Sequence, residues 1–385
     1  MNNNFSALCR YLIDRGYSAT LFVLDGEPKH FHPFADSYDD AWKHYTVEVS
    51  WGNIYEGSIR EIRDQVFAQL DEYDVLIGCG YAPAFVRLIG RKLDFFIPYG
   101  EDIISIPFLK LTHPKRLLRN LIMSTLQARA IRGAGCICMA PTGGMLEKYL
   151  DRLKVDDERI LTCGVPMVYW PQYDMNNFLS FGSDSDILQT VLKYKEDGYV
   201  VLLHPSRHCW KNSPDEPSKK GNDQLFVGMA QAAQERPGIK LKLLTFEYGV
   251  DVDESKKLAV ELSIEHLVDW CPVIERKLLT RVMYEVDAVV GELHHAYFSY
   301  GVVYESMALA KPLIHNRGDA YKKYYAKQYP MLQASSSSDV SEAILRLIDK
   351  PEEVGEVGKG AQSWMKEHLV RGAVDSIESA LSNAR

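Results

Sequence analysis

The chain is predicted to be α/β, with two Rossmann-like doubly wound domains. Three observations predict it. The 385 residues amount to about 2.6 times the length of an average domain. Composition is that of an ordinary globular protein, 46% apolar and 25% charged. Short apolar runs alternate with amphipathic stretches in two successive series, the pattern of βα units.

The first series opens on a helix, FSALCRYLIDRG, with Phe5, Leu8, Leu12 and Ile13 on one face and Gly16 at its C-cap. A doubly wound domain ordinarily opens on a strand, so the first strand is expected to be missing or replaced. Strand 18–24, helix 58–72, strand 74–80 and helix 83–93, which opens on Pro83, follow. DFFIPYG is a short strand, GCICMAP (135–141) another, and TGGMLEKYL leads into a helix. RILTCGVPMVYWPQY (159–173) is a last strand running into a Pro-punctuated connector near 165–175.

The second series comprises strand 199–206, helix 222–236, strand 239–246, helix 255–264, strand HLVDWCP, helix 274–286, strand 287–293, helix 301–310 and strand 311–316. The serine run Ser335–Ser338 with Asp339 caps the helix VSEAILRLID, and a closing helix spans about 356–382. The expected domains are 1–168, joined by a C-terminal helix at about 362–385, and 169–361.

The net charge of −8 argues against gripping nucleic acid through its phosphates. Neither a signal peptide nor an apolar span of 18 residues is visible, and seven scattered Cys do not form a disulfide framework. The expected location is cytoplasmic. Cys136 and Cys138 read as small residues of a buried strand.

Ligands of doubly wound sheets bind at the carboxyl ends of strands, so the loops there carry the candidate chemistry. YVVLLHPSRHCWKNSPDEPSKKGNDQLF ends a buried strand in Arg207 and Lys211, and Lys219-Lys220-Gly221 then opens a helix capped by Asn222 or Asp223. Cations beside a helix N-terminus suit a phosphate ester: Arg supplies a fork, Lys a point charge, the helix its dipole. In YFSYGVVYESMALAKPLIHN, Gly301 opens a helix and Glu305 follows one turn later. A carboxylate there suits two vicinal ribose hydroxyls. Other motifs are weaker. Asp184-Ser185-Asp186 lies in a polar loop and reads as helix capping, and no spacing suggests a metal site. Gly78-x-Gly80-x-x-Pro83 lacks the third Gly of a dinucleotide fingerprint.

Together and in this order, the two stretches resemble the nucleotide-binding half of the retaining GT-B glycosyltransferases, glycosyltransferase family 4 in particular. The resemblance covers about 165–350. It is carried by Arg207, Lys220-Gly221, Ser299-Tyr300-Gly301, Glu305-Ser306-Met307-Ala308 and Ala310-Lys311-Pro312. It implies transfer of a sugar from a nucleotide-diphosphate donor to a glycan or lipid-linked glycan, with retention and with neither cofactor nor metal. Arg207 and Lys220 would hold the diphosphate, with Lys211 the competing second cation. Glu305 would hold the ribose, and the Gly301 and Val302 amides would approach phosphate. Asp269 and Trp270 would lie near the nucleobase. One departure stands out: the family's first acidic residue, eight before Glu305, is here Tyr297, and His294 and His295 are the nearby groups able to touch the sugar. The alternatives are a nucleotide-sugar epimerase of the same fold and a catalytically silent binding protein.

The charge is uneven. From Ile103 to Leu146 there is no acidic residue, while Lys110, Lys115, Arg116, Arg119, Arg129 and Arg132 are all basic. With Leu117, Leu118, Leu121, Ile122 and Leu126, the segment 109–132 reads as a basic amphipathic stretch suited to an anionic membrane surface.

Overall fold

The computed structural model describes residues 4–28, 32–55, 57–109, 117–141, 146–214, 216–295 and 297–384. Its first half carries β1 (Leu21–Leu24), β2 (Thr46–Val49), β3 (Ile77–Gly78), β4 (Phe95–Phe96), β5 (Cys136–Met139) and β6 (Ile160–Thr162). Every pairing is parallel. Among the described residues the strands form two separate groups, β1-β2 and β3-β4-β5-β6. The described chain starts on helix Asn4–Asp14, which ends before Gly16 in the left-handed region (φ 87°). Leu8 and Leu12 are buried in this helix as expected, but Ile13 is exposed. Residues 142–145, expected to lead into a helix, lie outside the described residues; helix Glu147–Leu153 follows them.

The second half is a six-stranded parallel sheet of β7 (Val200–His204), β8 (Leu241–Phe246), β9 (Val268–Cys271), β10 (Ala288–Val290), β11 (Leu313–His315) and β12 (Leu332–Gln333). Its order, β12-β11-β10-β7-β8-β9, is the doubly wound order with its switch point between β7 and β10. Val201, Leu202 and Leu203 are fully buried because helices cover both faces of the sheet. One face packs Val201 and Leu203 with Leu188, Val303 and Met307, and the other packs Leu202 with Phe226, Met229 and Ile344.

The serine run caps its helix as expected. Ser336 accepts from Asp339 N, and the Asp339 side chain returns the bond in a capping box for helix Ser337–Asp349. At Asp184-Ser185-Asp186, Ser185 takes the N-cap position of helix Asp186–Glu196, without a side-chain capping bond.

The closing helix is longer than the sequence suggests. Pro351–Met365 continues through a π-helical stretch, Lys366–Arg371, into Gly372–Ala384. Trp364 stays with the second half, packed on Phe298, Tyr325 and Tyr329, with its indole N–H on Lys327 O (2.7 Å). Beyond the π stretch the chain joins the first half. Ile377 and Leu381 pack with Leu8 and Leu12, and Arg15 reaches Asp375 and Glu378 at 2.7 Å each. All seven cysteines are free, Cys138 being buried in β5.

Candidate functional site

The loops leaving β7 and β10 meet at the switch point. Lys220 N donates to Cys209 O (2.8 Å) and Leu293 N to Lys220 O (3.0 Å), so Lys220 is tied both to its own loop and to the loop after β10. Gly221, not Asn222 or Asp223, is the N-cap of helix Asn222–Glu235. Its φ is +74°, and a Cβ there would lie 2.7 Å from His294 N, so only glycine fits. Asn222 is instead fully buried. Its amide donates to His204 Nε2 (2.9 Å) and accepts from Cys209 N (3.0 Å), tying the end of β7 to the loop above it.

The two expected cations both lie on the loop between β7 and this helix. Arg207 is exposed and, among the described residues, its guanidinium has no partner. Lys220 is largely buried and its Nζ lies 2.6 Å from Glu292 Oε1. Glu292 lies two residues after the end of β10, at the strand end where ligands are expected. Sequence reasoning misses it, although its position is the available signal. Lys211 turns away: its Nζ pairs with Glu254 at 2.6 Å, and Asp251 holds the backbone N–H groups of Trp210, Lys211 and Asn212.

A second group lies along helix Gly301–Ala308, whose N-terminal residues are Gly301 and Val302. Tyr300, just before it, is pinned inward. Its hydroxyl accepts from Glu292 N and lies 3.2 Å from His315 Nδ1. A Cβ at Gly291 would fall 2.3 Å from that hydroxyl. Glu305 is buried and does not stand alone. Arg276 places Nε and Nη2 on its Oε1 at 2.7 and 2.6 Å, and reaches Asp36 of the first half at 3.0 Å. Burial opposes the charge of Arg276, yet the Asp36 and Glu305 carboxylates hold its pKa above the usual range. Both contacts fall on Oε1, and the hydrogen bond is the one from Nε. No sequence pattern signals this triad, because its members come from three distant segments.

The pair expected at the nucleobase is split. Trp270 packs under the site against His208 (ring centroids 4.9 Å) and Phe226 (6.0 Å). Asp269 projects the other way, to Lys242 Nζ at 3.3 Å. Neighbours on a strand face opposite sides of the sheet, so the two could not share one pocket wall. The Tyr297 ring lies tilted beside that of His295 (centroids 5.4 Å apart) and 6.0 Å from Lys220 Nζ. His294 and His295 turn towards Glu216, with Nε2 atoms 2.7 Å from Glu216 Oε1 and 2.5 Å from Glu216 O. Bonds from Lys219 and His294 hold the Glu216 carboxyl down to about 2.

Beneath the loops lie buried neutral histidines. His204 Nδ1 faces Val290 O (3.0 Å), and burial lowers its pKa to about 4. His208 bridges Ser255 and Thr245 at 2.9 Å each, its pKa lowered by burial to about 3. A surface groove of about 580 Å³ lies elsewhere, lined by Glu235, Arg346 and Asp349 near helix C-termini. It meets no strand end, so the switch point is the better-founded site.

No protein-family profile matches this sequence, and no curated protein matches it. Solved structures do. A structure of Anabaena Alr3699/HepE in complex with UDP-glucose aligns with a TM-score of 0.63 at 15% identity, covering 99% of this chain and 95% of that one. WaaG, described as a glycosyltransferase involved in lipopolysaccharide biosynthesis, aligns with a TM-score of 0.55 at 14% identity over 98% and 94%. A putative UDP-N-acetylglucosamine 2-epimerase from Listeria monocytogenes aligns at 0.51 and 12% identity over 100% and 93%. The matches span nearly the full length of each chain, and with the parallel sheets of both halves they show that this chain has the GT-B fold, two Rossmann-like α/β units.

Proposed function

We propose that this protein is a glycosyltransferase that moves a sugar from a nucleoside-diphosphate donor to a hydroxyl of a glycan or lipid-linked glycan, with retention. The observation that supports the reading is Lys220, largely buried beside Glu292 and immediately before the N-cap of helix Asn222–Glu235 at the switch point; Arg207, on the same loop after β7, is proposed as the second cation. Charge that develops on the departing diphosphate would meet the Arg207 fork, the Lys220 ammonium and the helix dipole, the last two held in place before the bond breaks. Glu305, held on Oε1 by Arg276, would offer Oε2 to the ribose, and the Gly301 and Val302 amides would approach phosphate. His294, His295 and Tyr297 rim the place where the sugar would sit. The fitting pathway is assembly of a cell-surface polysaccharide or lipopolysaccharide. UDP is the first nucleotide to try, since HepE was crystallised with it.

Ligand that binds only the folded state raises apparent stability. UDP at 100 times its Kd is therefore expected to stabilise the chain by about 2.7 kcal/mol, and Arg207→Ala to lose most of that shift. An undiminished shift in Arg207→Ala removes it from the site. The second reading is a nucleotide-sugar epimerase, favoured by the Listeria alignment. Conversion of donor without acceptor would establish it in place of transfer.

The acceptor half is proposed to rest on an anionic membrane face. No helix of the described residues is long and apolar enough to cross a membrane. Helix Leu117–Gly133 buries Met123, Gln127, Ala130 and Ile131, and leaves Leu118 (68%) and Leu121 (46%) exposed. At 100° per residue Arg129 and Arg132 fall on that same outer face. Lys110, Lys115 and Arg116 lie outside the described residues. Co-sedimentation with vesicles rich in phosphatidylglycerol is expected at low salt, weakened by Leu118→Glu; no pelleting of the wild-type chain would refute the surface contact.

A further inference from the structure

We propose that Glu216, His294 and His295 form a binding site for one divalent transition-metal ion of the zinc class. Their ligand atoms, one from each residue, all lie within 4.8 Å of one another. The imidazole rings are 4.6 Å apart and nearly perpendicular (85°). Two imidazole nitrogens and one carboxylate suit zinc, cobalt or iron(II), and a three-ligand set leaves a position open to water. Ligand atoms around tetrahedral zinc stand roughly 3.3 Å apart, so rotations of three partly exposed side chains close the set.

The site is assembled in advance by the backbone. The Leu293 N to Lys220 O bond and the close approach of Gly221 to His294 N bring the two loops together without any ion. Lys219 Nζ holds Glu216 Oε2 at 2.8 Å, which aims Oε1 at His294, the orienting role that outer groups play around metal ligands. Without an ion, each Nε2 points at an oxygen of Glu216 and must carry a hydrogen to bond it. An ion takes the place of the hydrogen between His294 Nε2 and Glu216 Oε1, and His295 Nε2 gives up Glu216 O to reach it, both imidazoles then carrying their hydrogen on Nδ1. It would clip the turn Glu216–Ser218 to the loop after β10, on the rim of the switch-point pocket.

The probe is the metal alone, so the result does not depend on whether the pocket takes a nucleotide. The untagged full chain, stripped with chelator, is titrated with Co²⁺ by visible absorption and with Zn²⁺ by calorimetry. One ion per chain is expected, with the intense visible bands of low-coordinate cobalt. Glu216→Gln and the double variant His294→Ala/His295→Ala are expected to bind at least about 10-fold more weakly, with unchanged circular dichroism in the metal-free state. Absence of saturable binding by the wild-type chain overturns the site, as does undiminished binding in the double variant. Should the double variant not fold, Glu216→Gln decides alone, because its carboxylate is exposed and its shape is kept.

Discussion

Lys220→Ala is expected to weaken nucleoside-diphosphate binding by at least about 10-fold, while Lys211→Ala changes it by less than about 2-fold. A hydrogen bond to a charged group contributes about 1.5–3 kcal/mol, and that range sets the first figure. The contrast follows from what each lysine touches. Lys220 sits at the helix mouth beside Glu292, whereas Lys211 is tied to Glu254 on helix Val252–Glu261. Lys220→Ala also strands a largely buried Glu292, and breaking such a pair is destabilising by about 3 kcal/mol. Folding and binding must therefore be separated. Lys220→Met/Glu292→Gln removes both charges together; it is expected to recover most of the stability but none of the affinity. Calorimetric titration with UDP reads binding, and thermal unfolding without ligand reads stability. Equal or greater loss of affinity in Lys211→Ala would reverse the assignment of the second cation.

The alternation of apolar and amphipathic runs makes both parallel α/β halves legible, because parallel strands buried on both faces are continuous apolar runs. β12, two residues long, carries too little pattern to be seen, whereas β3 and β4, equally short, lie inside the apolar runs DVLIGCG and DFFIPYG. Gly221 and Lys220 are legible as helix-mouth residues, since their roles depend on local backbone and local charge. What escapes is set by the chain's return from far away. Glu292 meets Lys220 across 72 residues, Arg276 meets Glu305 across 29, and His294 meets Glu216 across 78. Spacing searches for metal ligands look along the chain, and this trio is joined only through the sheet order. The divergence of Asp269 from Trp270 is different, because period-two alternation on a strand is enough to foretell it.

Acid is expected to unfold this chain well before its carboxylates are fully protonated, through histidines buried under the site. His204, His208 and His315 are buried and neutral, with pKa values lowered by burial to about 4, 3 and 4 from an ordinary 6.5. The bonding explains why the neutral form suits the fold. His204 donates from Nδ1 to Val290 O and accepts at Nε2 from Asn222, so a second proton would confront the amide N–H. His208 donates from Nε2 to Thr245 Oγ1, whose hydroxyl is committed to His204 O, and accepts at Nδ1 from Ser255. As pH falls through 6.5 the unfolded chain takes up protons at these sites and the folded chain does not. The stability they contribute is thus complete above pH 6.5 and lost between 6.5 and about 4. Each tenfold loss of proton affinity on folding corresponds to about 1.4 kcal/mol, so each site accounts for on the order of 3 kcal/mol over that window. Asp102 acts in the opposite sense. Burial raises its carboxyl to about 6 even though Gly80, Tyr99 and Gly100 donate to it, so its contribution grows as pH falls through 6. One carboxyl against three imidazoles leaves a net loss. Calorimetry from pH 7.5 to 4.5 is expected to show Tm level above 6.5 and falling steeply below it, with a shallower fall in His204→Gln. A Tm unchanged down to pH 4.5 would mean that these rings accept protons within the fold, and the tautomers assigned to His204 and His208 would then be wrong.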